Sequence, residues 1–130
     1  MPAFATLCLP EAPTVIAPDG STVRVLLSLA GGSMAHFTLR PGQVAAAVCH
    51  RSVEELWWIL EGRGTMWRRQ DGREGFTELR PGVCLSLPVG TDFQFRADPQ
   101  QGLSAVAVTL PPWPGPDEAR QVSGPWVASP

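Results

Sequence analysis

Apolar and polar residues alternate with period two along much of the chain, and glycine or proline interrupts the alternation at short intervals. Over residues 22–30, Val23, Val25, Leu27 and Leu29 alternate with Arg24 and Ser28, which predicts a half-buried strand. Gly31-Gly32 turns it, and Met34–Leu39 predicts a second strand. The tetrapeptide Leu-Arg-Pro-Gly occurs at 39–42 and again at 79–82. In each copy proline pre-sets φ and glycine supplies a positive φ, so each predicts a turn that opens a strand. Those strands are Val44–His50 and Val83–Leu87. Gly62-Arg63-Gly64 and Asp71-Gly72 predict further turns, the second in a hairpin. Pro88-Val89-Gly90 precedes a short strand, Asp92–Arg96, with Phe93 and Phe95 on one face, and Leu103–Leu110 predicts the last strand.

The ends lack this regularity. Residues 1–22 are punctuated by proline, with short apolar runs at Phe4–Leu9 and Thr14–Ala17, and predict edge strands or a packing arm. From Pro111 the chain becomes PPWPGPDEARQVSGPWVASP, an irregular Pro-rich tail whose Trp113 and Trp126 are expected to anchor on the barrel or on a neighbouring subunit. Strands spaced by ~8–12 residues and joined by Gly/Pro turns indicate an all-β sandwich or barrel. One domain is expected, with an arm over 1–22, the barrel over 23–110 and the tail over 111–130.

Residues 52–62 offer two patterns. Ser52-Val53-Glu54-Glu55 has the form of a helical capping box, and Gly62 stands where a helix would end. Leu56-Trp57-Trp58-Ile59-Leu60 is a continuous apolar run rich in strand formers, with strand-patterned neighbours on both sides. The run decides for a strand.

Composition narrows the chemistry. The chain has 130 residues, 44% of them hydrophobic and 17% charged, enough for a core without disulfides or a structural metal. A formal net charge of -2 and a pI near 5.6 leave no electrostatic footprint for nucleic acid. Lysine, tyrosine and asparagine are missing, which removes a Lys Schiff base and a Tyr acid or base. The ten cations are all arginine and stay charged. Proton transfer or metal ligation therefore falls to His36, His50, the cysteines and the carboxylates. Cys8, Cys49 and Cys84 lie in apolar runs and are expected to be free, buried thiols in a reducing compartment. The opening MPAFATLCLPEAP lacks the basic segment of a secretory leader, and no apolar run has the ~18 residues of a membrane span. A cytoplasmic location is expected.

Two spacings carry a resemblance. Gly42 is followed by five residues, then Val48, Cys49 and His50, four residues, Glu55, six residues and Gly62. Gly82 is followed by five residues, Pro88, Val89, Gly90, two residues, Phe93, three residues and Ala97. Both resemble the paired motifs of the cupin superfamily, in particular its small single-domain bacterial members. The resemblance implies a jelly-roll β-barrel, commonly dimeric, with a pocket inside. It also implies a metal held by three histidines and a glutamate. Only His50 and Glu55 occupy those positions here, since Val48 and Phe93 replace the other two histidines and Ala97 stands at the motif's asparagine.

Side chains on a strand alternate faces. Ala46, Val48 and His50 are thus expected on one face with Cys49 opposite, which disfavours a Cys49–His50 dyad. Glu55, Trp57 and Ile59 share a face of the next strand. Matching these faces through the motifs places Val48, His50, Glu55, Trp57, Phe93 and Phe95 in one cavity, with Ala45-Ala46-Ala47 leaving room. A divalent metal (Zn, Ni, Fe or Mn) on His50 and Glu55 needs a further ligand, for which His36 and Asp92 are the candidates. Without metal, the two form either a mutually hydrogen-bonded pair or an acid/base pair suited to isomerisation. Three functions follow. The first is a homodimeric small-molecule-binding cupin with a degraded metal site. The second is a cupin enzyme of isomerase, epimerase or dioxygenase type using His50 and Glu55. The third is an assembly or regulatory module built on the aromatic tail.

Overall fold

The computed structural model of the chain describes residues 3–129. The strands are β1 (Val15–Ile16), β2 (Thr22–Leu29), β3 (Gly32–Leu39), β4 (Val48–His50), β5 (Glu54–Gly62), β6 (Gly64–Gln70), β7 (Arg73–Leu79), β8 (Cys84–Leu87), β9 (Asp92–Ala97), β10 (Leu103–Leu110) and β11 (Ala119–Gln121). A single 3-10 turn, Pro116–Glu118, precedes β11. One sheet has the order β1-β2-β3-β10-β5-β8 and the other β11-β4-β9-β6-β7. The antiparallel pairs nest: β6 with β7, β5 with β8, β4 with β9 and β3 with β10. That nesting is a long hairpin wrapped into two facing sheets, a jelly roll.

Local chemistry explains the turns. Gly42 and Gly82 close the two Leu-Arg-Pro-Gly turns at φ 75° and 93°, a region that side chains with a Cβ rarely enter. Gly62 has φ 85°, and a Cβ there would collide with the carbonyl of Gly102. Of residues 52–62, Glu54–Gly62 form a strand, with strict alternation from Glu54 to Leu60. Glu55, Trp57 and Ile59 are buried, and Glu54, Leu56 and Trp58 are exposed. On β10, Leu103, Ala105, Ala107 and Thr109 point the same way. With Leu39, Met66, Leu79, Phe93 and Phe95, the residues Trp57, Ile59, Leu103, Ala105 and Ala107 form the core between the sheets.

Several expectations need correction. The predicted strand Val44–His50 is only Val48–His50, with Val44 in an isolated bridge to Arg96. The backbone before it is partnered irregularly: Ala45 N–H donates to Phe95 O (3.0 Å), Ala46 N–H to Asp19 O (2.7 Å), and Ala47 O accepts from Val122 (3.0 Å). Residues 4–9 form no strand, and Phe4, Leu7 and Leu9 are exposed. Cys49 is buried, but Cys8 and Cys84 are exposed. The tail is not wholly irregular, because β11 pairs with β4 and extends the second sheet. Beyond β11, buried Gln94 of β9 holds the tail through its amide. Its Nε2 donates to Ala45 O (2.8 Å) and Trp126 O (3.0 Å), and its Oε1 accepts from Trp126 N–H (3.2 Å). Met1, Pro2 and Pro130, which the expected arm and tail include, lie outside the described residues.

Candidate functional site

Between the sheets lies a cavity of about 570 Å³. Inward residues of β3, β4, β5, β9 and β10 wall it, and Val15 and Ile16, both exposed, stand on its rim. Val48, His50, Glu55, Trp57 and Phe93 all line it. Phe95 lies behind that wall and packs edge-on beneath Trp57, with ring centroids 4.9 Å apart. Ala45-Ala46-Ala47 do not border it, because the backbone there turns to pair with Asp19, Phe95 and the tail. The small side chains on its walls are instead Ala17, Ala35 and Ala119.

His50 closes β4 and Glu55 sits near the start of β5. Nδ1 of His50 stands 3.6 Å from Glu55 Oε1, too far for a hydrogen bond. Trp57 Nε1 donates to that same oxygen at 3.3 Å. Phe93 and Trp113 meet the imidazole edge-on, each with centroids 5.2 Å from it. Trp57 in turn stacks on Phe37 at 5.3 Å.

Burial governs the ionisation of both groups. It lowers His50 to about 4, against the pull of the Glu118 charge. It raises Glu55 to about 7; the Trp57 bond opposes this, while the charges of Asp19 and Glu118 reinforce it. Although the pair lies within salt-bridge distance, the imidazole is neutral at neutral pH, so the contact is no ion pair there. Asp19, 9% exposed, is also raised by burial, despite hydrogen bonds from Ser21 N–H (2.9 Å) and Oγ–H (2.7 Å). Glu118 behaves differently. Burial opposes its charge, but Ser52 N–H (2.6 Å), Ser52 Oγ–H (2.5 Å) and Val53 N–H (2.9 Å) all donate to it and hold its carboxyl below the ordinary value.

His36 and Asp92 are not brought to this site. Ala35 and Phe37 line the cavity and His36 between them does not. It is lowered by burial and by nearby Arg24, with Glu61 opposing, and its Nδ1 is unpartnered. Asp92 accepts two hydrogen bonds from Arg69, at 3.1 and 2.8 Å. Cys49, opposite His50, does not line the cavity, and burial pushes its thiol up.

Four residues absent from the expected cavity contribute to the site: Asp19, Phe37, Trp113 and Glu118. Phe37 lies at an odd position of a predicted strand and was within reach of the alternation argument. The others lie in a Pro-Asp-Gly turn and in the Pro-rich tail, where no periodicity assigns a direction. Trp113 is tied down by its N–H, which donates to Ser33 Oγ at 2.9 Å. Trp126 packs on Arg96, whose guanidinium lies 4.1 Å from the ring centroid. Both tail tryptophans thus have partners on the chain's own barrel.

No protein-family model and no curated sequence matches the chain. Solved structures do. Oxalate decarboxylase from Bacillus subtilis superposes with a TM-score of 0.71 at 15% identity, over 78% of this chain and 28% of that one. The fold is that of the cupins. A Bacillus halodurans protein matches this cupin barrel with a TM-score of 0.64 at 20% identity, covering 77% of this chain and 74% of its own. The coconut allergen cocosin matches it with a TM-score of 0.68 at 21% identity, over 81% and 30% of the two chains. The chain therefore spans under a third of the length of oxalate decarboxylase and of cocosin. Among the described residues of the cupin barrel, no helix is long and apolar enough to cross a membrane.

The cupin motifs imply a metal, and the donor set does not fit one. Val48 and Phe93 carry no donor atom at two of the ligand positions. Among the described residues no three His, Cys, Asp or Glu side chains converge at metal-binding distance. Two ligands fall short of the three or more that hold a mononuclear site.

Proposed function

We propose that this cupin barrel binds a small organic molecule in its cavity. His50 and Glu55 orient a polar group of the ligand, and Val48, Trp57 and Phe93 supply the apolar wall. The observation that carries this reading is His50 itself. It is 8% exposed, it lines the cavity, its Nδ1 stands 3.6 Å from Glu55 Oε1, and Phe93 and Trp113 flank its ring. An imidazole that opens onto a cavity can meet a ligand's polar group there, as donor from one nitrogen and acceptor at the other. The volume also suits a drug-sized molecule. The protein is proposed to act as a single-domain, cytoplasmic homodimer.

The test is native mass spectrometry of protein purified without a metal-affinity tag, combined with a melting-temperature screen of small organic molecules. A bound mass or a melting shift that His50→Phe abolishes is expected. Ligand-induced shifts identical in the variant would remove His50 from the site.

A second reading rests on Glu55. A carboxyl that exchanges its proton near neutral pH beside a neutral imidazole suits metal-free acid/base catalysis of isomerase or epimerase type. Oxalate decarboxylase has Mn(II) centres; a metal-dependent dioxygenase activity is disfavoured here by the short donor set. Metal analysis of the tag-free protein is expected to find less than one equivalent of Zn, Ni, Fe or Mn. A full equivalent bound through His50 would reverse that judgement.

A further inference from the structure

We propose that the cavity selects an organic ammonium ion, a protonated amine on an apolar body, with the cation seated against Glu55. The inference rests on the ligand-binding reading above and names its ligand class. Three independent features of the cavity support it.

The first is charge. Asp19 and Glu55 are the carboxylates among the described residues lining the cavity, and none of the chain's arginines lines it. The arginines are engaged elsewhere, for example Arg69 with Asp92, Arg63 with Glu78, and Arg24 with the carbonyls of Pro10 and Glu11. A ligand carboxylate or phosphate would meet no counter-charge inside and would face two acids, an arrangement that buried charge does not tolerate. A cation supplies the charge the cavity lacks.

The second is hydrogen-bond polarity. An ammonium group has donors only. Acceptors face it: the Glu55 carboxyl, to which Trp57 Nε1 donates, and the unprotonated nitrogen of the neutral His50 imidazole. The third is the wall. Rings of Phe37, Trp57, Phe93 and Trp113 surround the pair, and aromatic rings attract alkylammonium cations.

The ionisation of Glu55 agrees with this. The titratable groups around it are Asp19 in the turn before β2, His50 on β4 and Glu118 in the 3-10 turn. Its cross-strand partners, Thr109 and Leu87, do not titrate in this range. Since Glu55 loses its proton at about 7, presenting a carboxylate to a cation costs little at slightly alkaline pH. Alkylammonium ions remain protonated there, as a lysine does.

Isothermal titration with three matched probes tests the proposal: benzylammonium, benzyl alcohol and phenylacetate. At about pH 8, benzylammonium is expected to bind at least ~10-fold more tightly than the alcohol, with phenylacetate weakest. Lowering the pH to about 6 protonates Glu55, so the Kd for benzylammonium should rise roughly tenfold while that of the alcohol holds steady. Glu55→Gln should bring the ratio of the alcohol and benzylammonium Kd values from at least ~10 down to about one. If the alcohol binds and benzylammonium binds no more tightly, ammonium selectivity is overturned and the binding cavity stands. Tightest binding by phenylacetate has the same meaning. If none of the three binds, both readings fall. Should Glu55→Gln not fold, the order of the three probes on the wild type decides alone, and benzylammonium binding no more tightly than the alcohol overturns the proposal.

Discussion

His50 and Glu55 titrate in opposite senses, and their effects on stability nearly cancel. Glu55 holds its proton to about 7 in the fold but only to 4.5 in the unfolded chain. Between those values the folded state binds more protons, so this residue makes stability fall as pH rises. His50 takes up a proton near 4 when folded and near 6.5 when unfolded. Over that range the unfolded state binds more protons, and stability rises with pH. Where the windows overlap the wild-type contributions offset each other, and removing one partner exposes the other. His50→Phe keeps a ring against Phe93 and Trp113; relative to wild type, its stability is expected to decline from about pH 4 to 6.5, by up to about 3 kcal/mol. Glu55→Gln is expected to show the opposite slope. Urea unfolding at stepped pH measures both, and curves parallel to wild type would show that burial does not shift these groups.

At the scale of elements, β5 and the tail matter most for the site. Gly62 ends β5 with a positive φ against the Gly102 carbonyl, so Gly62→Ala is expected to destabilise by roughly 2–4 kcal/mol, read from the denaturation midpoint. Glu118 accepts three hydrogen bonds from the turn between β4 and β5. Glu118→Ala leaves those donors unpaired, and a loss of about 2–3 kcal/mol is expected in the same assay. Acid should reproduce part of that loss in the wild type, since a carboxyl with a depressed pKa stabilises only while ionised. Strands with a regular alternation, such as Leu103–Leu110 and the apolar run of β5, were legible in the sequence because period two sorts their side chains into faces. Residues 44–47 were not. Four small or aliphatic residues look like a strand, but their backbone groups pair with a turn, a distant strand and the tail. No local pattern encodes such partners.

For the molecule as a whole, motif spacing located the barrel and placed Val48, His50, Glu55, Trp57 and Phe93 around one interior space. Spacing gave no access to the distance between His50 and Glu55, to the acid contributed by Asp19, or to the wall built by Trp113. Those depend on how a turn and a proline-rich tail lie against the sheets, which side-chain alternation does not describe. The tail is also held unevenly. β11 is attached through a backbone ladder, whereas the segment around Trp126 is held by the amide of Gln94, by Arg96 and Phe76 against the indole, and by Ser129 paired with Val44. A ladder opens cooperatively, but a side-chain clasp can release alone. Amide exchange at Trp126 is therefore expected to be faster than within β9 and β6, and Gln94→Leu should accelerate it without disturbing the cavity. Residues 123–129 are then expected to open ahead of the sheets, an event that leaves the aromatic wall at Trp113 in place.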